Sequence, residues 1–299
     1  MNNAKNTPTV SSAAAVAVFT AANGLIRAPY FGTSILPFAA AAVLSFPAVG
    51  AAQFLFLKIN RSGAAVLKKA VLLILSIASA FAAVFALREY AHFIFDDVLT
   101  HENYLVIKAI FTVCVFALAA ARKQAIYKFS FLSAVLVSGV FAVLFLTSLK
   151  TFDAGNLKSA ISFYDFSLKQ TGVYFLKMFL PTLLAAAFIC ENEEAVKAGV
   201  LGMSWAVLLT ATVLLDCVLS FSLPLAAKLD YPYIDDISTV TVGSLFTRMD
   251  GFAYIAFFVC YLVKCAVCAV LCGRLLQRAG IKNKKAALAA VCLIIFAFA

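Results

Sequence analysis

Apolar residues in this chain come in long unbroken runs, and polar residues collect in the short stretches between them. A bilayer core needs about 20 apolar residues per helix. By that measure the runs predict helices over residues 10–28, 34–57, 68–95, 104–121, 127–149, 171–190, 198–227, 246–274 and 284–299, about nine in all. The period-two alternation of a β-barrel is absent. Helices are the remaining solution, because every backbone polar group must be satisfied within lipid. The expected fold is therefore an all-α integral membrane bundle, with residues 1–299 as a single polytopic domain.

Composition sharpens this picture. Hydrophobic residues make up 64% and charged residues 13% of the chain, and the mean hydropathy is +1.01. Soluble domains carry about 25% charged residues, so most of this surface must face lipid or other protein, and a soluble enzyme is excluded. The net charge of +10 does not indicate nucleic acid, because the basic residues fall in short clusters between apolar runs. Lys58, Arg61, Lys68 and Lys69 form one cluster, and Arg122, Lys123 and Lys128 a second. Arg274, Arg278, Lys282, Lys284 and Lys285 form a third. If every run spans, these clusters share one side, which the positive-inside rule makes cytoplasmic together with the N-terminus. The intervening loops hold Glu89, Asp96, Asp97 and Glu102, or Asp230, Asp235 and Asp236. Residues 1–9 carry Lys5 as their one charge, so no cleavable signal peptide is expected.

Of eight cysteines, Cys260, Cys265, Cys268 and Cys272 share one apolar run, while His92 and His101 lie elsewhere. Zinc sites favour tight Cys and His spacing in polar loops. These cysteines are read as packing residues, and no metal, disulfide or cofactor is expected.

Two apolar runs are interrupted. The first holds Ala21-Ala22-Asn23-Gly24, with Pro29 soon after. Gly inside a helix costs about 1 kcal/mol relative to Ala, and Asn adds a polar group that lipid cannot satisfy. The sixth holds Pro181-Thr182, where proline removes a helix hydrogen bond. Broken helices five segments apart fit an inverted repeat whose unwound turns build a substrate site at mid-membrane. Their half-helix dipoles suit the carboxylate and amine of a zwitterion. The plainer reading is that small residues and prolines ease helix packing. Both stand at this stage.

The stretch Phe19-Thr20-Ala21-Ala22-Asn23-Gly24-Leu25-Ile26-Arg27-Ala28-Pro29 resembles the first-segment motif of the spore-germination nutrient-receptor B subunits. Those belong to the amino acid–polyamine–organocation permease superfamily. Tyr231-Pro232, followed by Val240-Thr241-Val242-Gly243-Ser244-Leu245-Phe246-Thr247-Arg248-Met249-Asp250, is similar to a second stretch of that family. Lys264, Gln277 and the polar turn Asn192-Glu193-Glu194 fall where the family has comparable residues. The resemblance implies a LeuT-like fold in which segments one, three, six and eight surround a small-molecule pocket. Its expected ligand-binding residues here are Ala22, Asn23, Gly24, Leu25, Pro181, Thr182, Tyr254 and Phe258. It also implies an amino acid as nutrient, with an A membrane subunit and a C lipoprotein as partners.

Two departures accompany the resemblance. Family members usually have ten helices, whereas the ninth run ends with the sequence at Ala299, as in a truncated or degenerate relative. Met178-Phe179-Leu180-Pro181 replaces a glycine and a carboxylate common in the sixth helix. Residues 251–264 contain no Ser or Thr, so sodium coupling through the eighth helix is not expected.

Ionisable residues in lipid are functional or paired by default. Asp216 sits inside the seventh run, either as a functional acid or as a carboxyl bonded to a neighbouring hydroxyl. Lys264, mid-way along the eighth, is expected in a conformational or charge network. Arg248 and Asp250 open that segment as charges at a helix start. Lys108 and Lys177 are expected to snorkel toward the interface. The function these readings predict is a germinant-receptor subunit, with an autonomous proton-coupled amino acid permease as the alternative. No constellation of catalytic residues is present, so an enzyme is not expected.

Overall fold

The structure, a computed structural model, describes residues 9–25, 35–61, 65–98, 103–149, 152–153, 155–156, 167–189, 194–221, 228–229, 231–239, 249–278 and 283–299. Several residues singled out above lie outside that set: residues 26–29 of the first motif, the strip 240–248 with Gly243 and Arg248, and Asn192, Glu193, His101, Glu102, Asp230 and Lys282.

Among the described residues every regular element is helical: α1 (Thr9–Gly24), α2 (Ile35–Arg61), α3 (Ala65–Asp97), α4 (Tyr104–Ala120) and α5 (Lys123–Ser148). Then follow α6 (Leu168–Tyr174), a π-helical turn (Phe175–Phe179), α7 (Thr182–Ile189), α8 (Glu194–Ser220), α9 (Pro232–Thr239), α10 (Asp250–Arg278) and α11 (Lys284–Phe298). Six stretches are long and apolar enough to cross a bilayer: α2, α3, α5, α6 through α7, α8 and α10. α1 and α4 are shorter apolar helices, and α11 is a 15-residue helix. Among the described residues the chain is an all-helical bundle with apolar helices of membrane-spanning length.

Helix ends differ from the hydropathy reading where local chemistry sets them. Asn103 caps α4 through Leu105 N at 2.9 Å. Asn283 caps α11 through Lys285 N at 3.0 Å. The expected helix 198–227 starts earlier, at Glu194, and stops at Ser220. Pro224 follows within one turn, and a proline drives the residue before it out of helical geometry. The expected helix 246–274 begins at Asp250, whose carboxylate suits the positive end of α10.

α1 is the axis of the bundle. Every residue from Ala13 to Leu25 is buried, and its main neighbours are α8, α5, α10 and α7. Small side chains permit this. A Cβ on Gly202 would strike the Ala13 carbonyl oxygen and the Val16 side chain, so α8 can lie on α1 only because that atom is missing. Polar side chains then tie the helices together, as expected where lipid offers no alternative partner. Gln53 Nε2 donates to Ala195 O (3.0 Å), Trp205 Nε1 to Ser138 Oγ (2.8 Å), and Cys272 Sγ to Ser76 O (3.2 Å). The outer faces of α2, α3, α4 and α5 display Val43, Phe54, Ile74, Phe81, Val113 and Leu132. In a water-facing protein such a belt would be an anomaly; here it is the lipid-facing surface.

Candidate functional site

The two expected interruptions take different forms. In the stretch read as interrupted, α1 stays helical through Ala21, Ala22 and Asn23, and Leu25 N still donates to Ala21 O (2.9 Å). The reason is local: Asn23 Nδ2 turns back to Phe19 O at 3.3 Å, so its amide finds a partner on its own helix. The helix ends at Gly24. A Cβ there would lie 2.7 Å from Met178 Cε and 3.0 Å from Thr210 Cγ2, so glycine is what lets the sixth segment approach the end of α1.

The sixth segment does depart from α-helix, and it does so upstream of Pro181. Phe175–Phe179 forms a π-turn in which Leu180 N donates to Phe175 O (2.8 Å). Leu184 N then bonds to Pro181 O (2.9 Å) as α7 starts. Proline has no N–H, and its ring crowds the carbonyl four residues earlier. One extra residue in the preceding turn relieves that crowding, and π-bulges of this kind gather at functional sites.

A cavity of about 420 Å³ opens beside these irregularities, lined by Asn23 of α1, Ala82, Phe85 and Glu89 of α3, Leu176, Lys177 and Pro181, and Lys264 of α10. It joins the first, third, sixth and eighth predicted segments. Lys264 lies midway along α10, is 5% exposed, and holds its Nζ 5.1 Å from the centre of the Tyr261 ring. Thr20 Oγ1 donates to Thr182 Oγ1 at 3.0 Å, both buried. Thr20 is one turn from Asn23 and Thr182 adjoins Pro181, so this bond clamps the two elements at the cavity edge.

The expected ligand-binding residues therefore divide. Asn23 and Pro181 line the cavity. Ala22, Leu25 and Thr182 are completely buried in packing, and Gly24 supplies the close approach to Met178. Tyr254 and Phe258 sit on another face of α10. Phe258 packs on Tyr90 (6.0 Å) and Phe111 (5.7 Å), about 120° round the helix from Lys264. Tyr254 donates to Asp97 Oδ2 at 2.6 Å, with Asp250 Oδ2 at 3.5 Å. Tyr254 thus joins the end of α3 to the first turn of α10. Two charged lining residues were not foreseen as site residues: Glu89, read as a loop acid, and Lys177, read as snorkelling. Lys108 is packed among rings. It is 6% exposed, and its Nζ lies 5.4 and 5.2 Å from the Tyr104 and Phe296 rings.

A second polar group lies at the other end of α8. The Ser148 hydroxyl donates to Asp216 Oδ1, the neighbouring hydroxyl that one of the two readings of Asp216 called for. Asp236 of α9 is within electrostatic reach of Asp216 and is 2% exposed. Burial pushes its carboxyl from the ordinary 3.8 to about 6, against a hydrogen bond from Ser220. Burial and the neighbouring Asp216 likewise push the Tyr233 hydroxyl up. Asp216 Oδ2 and Asp236 Oδ2 are buried without a hydrogen-bond partner among the described residues.

No curated protein matches the chain. The model of a protein family described as spore germination protein, a family of permease type, matches residues 31–299, nearly the whole sequence. With this match over a bundle in which a charged cavity joins four predicted segments, the chain belongs to the spore germination protein family and is a membrane protein related to permeases.

Proposed function

We propose that this chain is the membrane subunit of a spore germinant receptor and that it holds a small zwitterionic nutrient, an amino acid, in the cavity between α1, α3, the π-turn and α10. The observation that carries the reading is that one cavity of about 420 Å³ is bordered by Glu89, Lys177 and Lys264 together with the amide of Asn23. That volume falls in the range of small-molecule sites. Charges of both signs suit a ligand with a carboxylate and an ammonium. Ligand bound against both α1 and the sixth segment favours one arrangement of the bundle, and that bias passes to the partner subunits. An A membrane subunit and a C lipoprotein are the partners this reading requires, in the inner membrane of the spore.

The test has two parts. Spores lacking the gene are challenged with a panel of amino acids; loss of the response to at least one is expected, and unchanged germination to all removes the receptor reading. Purified chain in proteoliposomes is then given labelled amino acid and a proton gradient. Binding without accumulation is expected, whereas accumulation with no partner present favours the autonomous permease.

A further inference from the structure

A second polar cavity lies far along α10 from the first. It measures about 120 Å³ and is bordered by Lys123, Arg274, Gln277 and Lys284, with Ile126, Val270 and Leu288 as its apolar floor. We propose that this cavity is a binding site for the phosphate headgroup of an anionic phospholipid. Three helices bring the basic groups together. Lys123 opens α5, Lys284 opens α11, and Arg274 lies in the last turns of α10, which ends at Arg278. All three therefore stand near helix ends, and for α5 and α10 these are the ends of spanning helices, at the level of the headgroups.

Packing holds them in place. Lys123 Nζ lies 4.9 Å from the centre of the Phe188 ring and 5.3 Å from that of Tyr127. Arg274 Cζ lies 5.6 Å from the same Phe188 ring, so one aromatic side chain carries two cations. Lys284 Nζ donates to Ala121 O at 3.4 Å across the cavity rim. A Cβ on Gly273 would lie 2.9 Å from Leu288 Cδ2, so α10 and α11 meet tightly under the site. α4 and α10 end where α5 and α11 begin, so helix dipoles cancel to first order and the side chains set the field.

The chemistry selects the ligand. Three cations and a carboxamide around a space the size of one tetrahedral anion suit a phosphodiester, and arginine offers it a planar fork of donors. Basic pockets between spanning helices on the headgroup level bind anionic lipids in this way. The site is separate from the central cavity and does not depend on the nutrient reading.

The test uses the full chain in nanodiscs of phosphatidylcholine alone, phosphatidylcholine with phosphatidylglycerol, and phosphatidylcholine with added inorganic phosphate. Thermal midpoint and retained lipid, counted by native mass spectrometry, are the readouts. Phosphatidylglycerol is expected to raise the midpoint and to be retained. Lys284→Gln and Arg274→Gln are each expected to weaken its retention about five-fold, while Lys58→Gln, on an exposed position of α2, leaves it unchanged. Equal loss with Lys58→Gln would reduce the effect to general surface charge and overturn the site. Inorganic phosphate matching phosphatidylglycerol would assign the cavity to free phosphate and overturn the lipid. If Arg274→Gln fails to fold, Lys284→Gln at the exposed rim decides alone, and unaltered retention there overturns the proposal.

Discussion

The bundle gathers polar groups in two places that resolve the same physical problem in opposite ways. Around the central cavity, Asn23, Glu89, Lys177 and Lys264 border open space next to a π-turn and a proline. At the far end of α8, Asp216 and Asp236 are closed in, each bonded to a serine. Charge inside a membrane protein must face a cavity or find a partner. The first group borders space that water or ligand can fill, and the second is enclosed by packing. Among the described residues, a π-turn and a proline accompany the first. What separates a site from a structural polar cluster here is therefore the void and the broken helix beside it, and the mere presence of buried charge does not.

The contrast is sharpest at Lys264. Replacing it with methionine keeps the length of the side chain and removes the charge. Affinity for the responding amino acid should fall about a hundredfold, which corresponds to about 3 kcal/mol, as measured by equilibrium binding in nanodiscs. The thermal midpoint should not fall, because an apolar group in the same volume avoids the desolvation of a buried ammonium. A large drop in midpoint with unchanged affinity would place Lys264 in the packing class alongside Asp216.

Ser148→Ala should show the mirror image. It removes the hydroxyl that serves Asp216 Oδ1 and leaves that carboxyl with two unserved oxygens. A loss of about 2 kcal/mol in stability is expected, read as a lower midpoint, with ligand affinity unaltered. If binding collapses while the midpoint holds, the division between the two regions fails.

How far the sequence announced these two regions depends on what sets each feature. Helix centres follow from hydropathy, because twenty apolar residues in lipid have little choice; the ends do not, because residues such as Asn103 and Asn283 set them by capping. Pro181 marked a break, but the strain it creates is absorbed at Phe175–Phe179, upstream along the helix. Asn23 looked like a break and found its acceptor one turn back, at Phe19 O. Glu89 was hidden by its acidic neighbours Asp96 and Asp97, since the same stretch reads as a loop or as the last turns of α3. Its signal was there: Ala82, Phe85 and Glu89 recur at spacings of three and four, one face of a helix. Tyr254 and Phe258 misled because an aromatic pair four residues apart on α10 describes a helix face without saying which neighbour it meets. Asp236 sat among loop acids, and only the fold of α9 against α8 buries it.

Asp236 supplies the smallest of the expected effects. Its carboxyl titrates near 6 in the folded chain against 3.8 when exposed, with burial as the chief cause. Below about pH 4 both states hold the proton, and the group leaves stability unaffected. Between about pH 4 and pH 6 the unfolded chain releases its proton while the folded chain keeps it, so stability falls as pH rises, and above pH 6 the curve is flat again. Asp236→Asn removes the titrating group while preserving its shape and one acceptor for Ser220. The variant should lose the pH 4–6 slope attributable to this site, and its advantage over the parent should be greatest above pH 6, as followed by thermal midpoint in nanodiscs across that interval. Ligand affinity, governed by the separate cavity, should stay parallel in parent and variant at every pH. A slope that persists in the variant would mean that Asp236 is more open to solvent than its 2% exposure implies, and that the closed cluster is, like the cavity, a place water can reach.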